Sequence, residues 1–183
     1  MKKVQLLGWS MVAVMLFFAA GCSDAGLLEP EQAGHDTVLE ATQAAKNHPV
    51  QMKGRASGAG FFAGAPGDCM VGEMPGLPVR MSGEGIASHL GKITFVQTGH
   101  CLDLANFTYE GSVIVIAANG DEYWSDYAGQ SFADGTFRHE GTIAGGTGRF
   151  EGATGYYVQE GIGTDPSTGS FTFEMTYEGW ILY

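Results

Sequence analysis

The sequence predicts an all-β protein, a single closed antiparallel barrel of about eight strands, and three observations predict it. From about Met52 onward apolar residues recur with period two, the spacing of a strand with one buried face. Glycine is abundant, 29 of 183 residues, and falls between runs rich in Thr, Phe and Tyr. That part of the chain holds no convincing helical periodicity. A sandwich is the alternative. A barrel is preferred because closure removes sheet edges, and about eight strands leave an interior for side chains or one small ligand.

The period-two runs are Gln51–Phe62, Val79–Gly85, Ile86–Gln97, Ser112–Ala118, Glu122–Ala128, Gly135–Ile143, Tyr156–Ile162 and Gly169–Tyr183. Asn119-Gly120 between two of them predicts a two-residue hairpin with positive φ at both positions. That turn sets Ala118 opposite Asp121, Ile116 opposite Tyr123 and Ile114 opposite Ser125. Ile114, Ile116, Tyr123, Ser125 and Tyr127 then share one face, and Val113, Val115 and Trp124 share the other. With apolar residues on both faces, the outer one reads as covered by a neighbour, which points to a homo-oligomer. In the last run Phe171, Phe173, Met175 and Tyr177 face one way, and Thr172, Glu174, Thr176 and Glu178 the other.

The N-terminus reads as an export signal. Lys2 and Lys3 precede an almost wholly apolar run to Ala20, and Ala19-Ala20-Gly21 leads directly into Cys22. The run is marginal for a bilayer-spanning helix, which needs about 20 apolar residues; small residues before the cysteine suit a signal peptidase. The segment resembles a bacterial lipoprotein signal with its lipobox. That resemblance implies cleavage before Cys22, acylation of its thiol and a membrane anchor; an ordinary secretory signal is the alternative. In that family Ser23, where an Asp would retain the chain at the inner membrane, implies an outer-membrane address in the cell envelope. The organisation is therefore a signal peptide over 1–21, a lipid-anchored tether over 22–50 and a β-barrel domain over 51–183.

Losing residues 1–21 removes Lys2, Lys3 and no acid, which takes the formal charge from −11 to −13. Nucleic-acid binding needs basic surface to release counterions, so nucleic acid is excluded as a partner. Once Cys22 is acylated two cysteines remain. Cys69 and Cys101 both lie in polar, turn-like contexts, and an oxidising envelope compartment favours a disulfide between them over two separate buried thiols.

One string carries a family resemblance. Gly145-Gly146-Thr147-Gly148-Arg149-Phe150-Glu151-Gly152-Ala153-Thr154-Gly155, leading into a strand, resembles dirigent proteins and more loosely allene oxide cyclases. Gly83–Gly91 and Ala117–Asp121 look like further signatures of bacterial proteins with this barrel. The resemblance covers roughly residues 80–183 and implies an eight-stranded calycin-like barrel. It also implies a cavity in which enzymes of those families steer radical coupling or ring closure. No catalytic residue of theirs maps onto a position here. Read physically, the string is backbone chemistry, with Phe150 plugging the barrel. It is not a phosphate loop, because no Gly-Lys-Ser/Thr follows and no helix opens after it.

Candidate site residues follow from the alternation. His139 shares a face with Phe137 and Ile143, and His89 with Ile93 and Phe95, so each imidazole is a candidate for ligand binding or proton transfer. Tyr123, Tyr127 and Tyr177 supply aromatic surface with a hydroxyl, suited to a small apolar ligand with one polar end. All five serve equally as core residues needing no ligand. No cofactor motif is present, and the scattered His89, His100 and His139 give no metal-ligand spacing. Three functions remain open: a small-ligand binding module, an enzyme of the dirigent or cyclase type in the same cavity, and an interaction lipoprotein with a filled barrel.

Overall fold

The computed structural model describes residues 48–164 and 166–183. The signal peptide, Cys22, the short helix expected over Thr37–Lys46 and nearly all of the tether lie outside the described residues.

Among the described residues nine strands follow one another: β1 Val50–Phe62, β2 Cys69–Val71, β3 Met74–Ala87, β4 Gly91–Leu102, β5 Thr108–Ile116, β6 Glu122–Ser131, β7 Thr136–Gly146, β8 Thr154–Gly163 and β9 Ser170–Leu182. From β3 to β9 they form an antiparallel meander, and β1 pairs with both β9 and β3 to close an eight-stranded barrel. Strand β2 stands outside the closure as a hairpin partner of β3, with Val71 opposite Met74. It is tied to β4 by the disulfide Cys69–Cys101, whose Cα atoms lie 6.0 Å apart.

The abundance of glycine has a packing cause. Large interior rings lean across the strand beside them, and the cross-strand partner directly beneath each is a glycine. Tyr177 lies over Gly54, Phe173 over Gly58, Tyr127 over Gly111 and Tyr157 over Gly141. A methyl group at any of these glycines would overlap the ring. Close packing leaves no slack for an extra carbon there.

The hairpin between β5 and β6 departs from its sequence expectation. The loop has three residues, not two: Ala117 N–H donates to Asp121 O at 2.9 Å and Gly120 N–H to Ala117 O at 2.9 Å, with Gly120 alone at positive φ (+87°). A type I turn closed by a left-handed glycine fits the strand twist as well as the two-residue turn does. The register therefore slips by one. Val115 pairs with Tyr123 and Val113 with Ser125, while Ile114 pairs with Trp124. Val113, Val115, Tyr123, Ser125 and Tyr127 point inward, and Ile114 and Ile116 move to the outer face with Trp124. The run Ile86–Gln97 likewise straddles a turn at Ser88–Leu90 and belongs to two strands.

The two barrel ends differ. At the end where β1 begins and β9 finishes, the glycine string forms a 3-10 turn over Gly148–Phe150 that drops Phe150 fully into the interior. Its ring packs edge-on against Tyr123 and Tyr183, 5.7 and 5.0 Å between centroids. Gly148 is required here: its φ is +55°, and a Cβ would strike the Asp121 carboxylate, which accepts the Arg149 N–H at 3.1 Å. This end is plugged.

Candidate functional site

The opposite end is open. The β4–β5, β6–β7 and β8–β9 loops surround a cavity of about 620 Å³. Its rim carries Leu104, Phe107 and Phe132, each between 43 and 55% exposed. Phe62, Met81, Phe137, Phe171 and Phe173 form the walls, and Gln97, His100, Tyr109, His139, Gln159 and Met175 form the floor. The shape and lining match a site for a small, mainly apolar molecule with a few polar groups to orient it.

The floor is an interlocked set of imidazoles and phenols. His100 Nδ1 lies 2.8 Å from Tyr127 Oη, and His139 Nδ1 lies 3.2 Å from Tyr109 Oη. The rings also stack, His100 on Tyr109 and His139 on Tyr127, at 4.9 and 4.7 Å between centroids. Loss of hydration pushes His100 down to about 3, with the neighbouring His139 adding to the effect. Loss of hydration also pushes His139 down to about 4, against a hydrogen bond to Gln159 that favours the charged form. Both imidazoles are thus neutral at physiological pH. Burial raises Tyr109 and Tyr127 and keeps their hydroxyls protonated. Of the described residues lining the cavity, Asp134 at the rim alone carries a charge. Its carboxylate is held by the Thr136 hydroxyl and N–H at 2.6 and 3.0 Å.

Of the five residues singled out from sequence, His139 alone lines this cavity. Tyr127 lies behind it as partner of His100, and Tyr123 and Tyr177 line a smaller chamber of about 30 Å³ deeper in the barrel. His89 is displaced from its expected face: it sits exposed in the Ser88–Leu90 turn at the plugged end, with φ +63°. His100 and Tyr109 escaped the sequence reading. Alternation through Ile93, Phe95 and Gln97 would turn His100 outward, but β4 carries a bulge between Thr98 and Cys101 with Gly99 at φ +77°. The extra residue changes the parity and brings His100 into the barrel, 6% exposed. The glycine before it was the available signal.

These features define a closed antiparallel barrel plugged at one end and open at the other. In fold it is similar to a pterocarpan synthase dirigent protein, with a TM-score of 0.51 and 16% sequence identity, over 74% of this chain and 86% of that chain. The eight-stranded barrel of the dirigent type expected from the glycine string is therefore present. No family model matches the chain, and no curated protein matches it.

Proposed function

We propose that this chain is a lipid-anchored cell-envelope protein, tethered through Cys22 to the outer membrane, whose barrel binds a small apolar molecule at its open end. The observation that carries the binding reading is the cavity of about 620 Å³ with an apolar rim and an uncharged polar floor. A barrel that served only as a filled scaffold would bury such a floor under side chains. The outward-facing cross-strand row of exposed Val96, half-buried Ile114 and exposed Trp124 supports contact with a second copy.

A neutral fluorescent naphthylamine should bind with one-to-one stoichiometry. Fully burying a Leu or Phe side chain stabilises by about 1.5–3 kcal/mol, so Leu104→Ala with Phe132→Ala should weaken binding about tenfold or more. Trp124→Ala, on the outer face, should leave it unchanged. No saturable binding, or equal loss from Trp124→Ala, would overturn the reading.

The paired imidazoles and phenols favour a second reading, a dirigent-like or cyclase-like enzyme in the same cavity. A neutral imidazole at the floor can accept a proton from a bound ligand. In that case His139→Ala should remove turnover, proton transfer contributing about 10²–10⁴-fold, while probe affinity stays roughly constant.

A further inference from the structure

We propose that the inner end of the cavity is a hydroxyl-recognising subsite built on Gln97 and Tyr177, so that the preferred ligand is an uncharged alcohol. This deepens the binding reading above and rests on it. The chamber of about 30 Å³ beneath the open cavity shares Gln97, His139, Gln159 and Met175 with it, so it adjoins the cavity floor. A water-sized group needs roughly 10–15 Å³ on this measure, so the chamber has room for a hydroxyl group but not for a bulky headgroup. Gln97 and Tyr177, 5% and 8% exposed, both line it. Gln97 Oε1 and Tyr177 Oη are the two buried side-chain polar atoms without a hydrogen-bond partner among the described residues. Buried polar groups are otherwise almost always paired, so two around one small void mark a place where a polar group belongs.

The chemistry of the pair selects the group. Gln97 Oε1 only accepts, so it needs a donor; Tyr177 Oη can donate and needs an acceptor. A hydroxyl does both from one atom. An ether or a ketone leaves Gln97 unpaired, and a hydrocarbon leaves both. A carboxylate meets no cation among the described residues of the cavity lining, where Asp134 is the one charged side chain, and it cannot donate to Gln97. An ammonium finds no carboxylate on the floor.

Displacement of the naphthylamine from the full-length chain by octanol, octanoate and octane tests this. Octanol should act at a concentration about tenfold or more below that of octanoate or octane, since a site built for a hydroxyl rejects analogues lacking it. Gln97→Leu should erase the advantage of octanol over octane, as expected when the polar contact is lost. Tyr177→Phe, which removes a single oxygen, provides the same comparison with least disturbance to packing. Octanoate matching or beating octanol would overturn the proposal. An octanol advantage that persists in both variants would also overturn it, because neither group would then be what recognises the hydroxyl. Octane and probe binding without alcohol preference would sink this subsite alone, whereas failure of every ligand and of the probe would remove the binding function itself.

Discussion

Taking the protein from about pH 7.5 to about pH 5 charges the unfolded chain with protons that the barrel refuses. In the unfolded chain an imidazole protonates near 6.5, but burial holds His100 down to about 3 and His139 to about 4. Between those values the unfolded state binds more protons, so stability is fullest above about 6.5 and declines as the pH falls. At pH 5 the gap to 6.5 is 1.5 units, and one unit is worth about 1.4 kcal/mol, so each histidine should cost about 2 kcal/mol and the pair about 4 kcal/mol. That is a large share of the 5–15 kcal/mol typical of a folded domain. Denaturant titration of soluble protein from residue 23 onward at the two pH values measures it directly. His139→Gln, which keeps a polar side chain, should remove about half of the dependence. A stability that changes by less than about 1 kcal/mol across this interval would refute the reasoning, because a buried, uncharged pair of imidazoles requires the loss. Imidazole resonances of His100 or His139 that titrate near pH 6.5 would refute it equally.

Three other perturbations follow from the same packing, and a fourth from the signal sequence. The disulfide closes a loop between residues 32 apart, so Cys69→Ser with Cys101→Ser should cost about 3–4 kcal/mol and lower Tm by roughly 10 °C or more; two alkylatable thiols among positions 69 and 101 in the oxidised, denatured protein would show that the bond is absent. Gly141→Ala places a methyl in the Tyr157 ring, whose hydroxyl bonds Ser125 at 2.9 Å, and should destabilise by about 1–3 kcal/mol. Gly163→Ala, whose nearest atom would be 3.6 Å away, should stay within about 0.5 kcal/mol by denaturant midpoint. Cys22→Ser should release the chain from membranes or leave an uncleaved precursor, and unchanged labelling by radioactive palmitate would contradict the anchor.

The sequence by itself determined the class of fold and much of its inside-outside pattern. Period-two alternation in β9 sorted Phe173, Met175 and Tyr177 from Glu174, Thr176 and Glu178 correctly, because a regular strand has a side-chain period of two and nothing interrupts it there. The same regularity placed His139 inside, and the glycine string announced the turn that buries Phe150. What only the tertiary structure decided were the places where one residue changes the parity. A three-residue loop in place of two turned Ile114 and Ile116 outward and Val113 and Val115 inward; one bulge at Gly99 swung His100 to the cavity floor. Both are choices among turns and bulges of similar local energy, settled by which faces the neighbouring strands can bury. The site shared that fate. Its imidazoles and their phenol partners come from β4, β5, β6 and β7, so the pairing of His100 with Tyr127 and of Tyr109 with His139 exists only once the sheet has closed and the open end has been left without a plug.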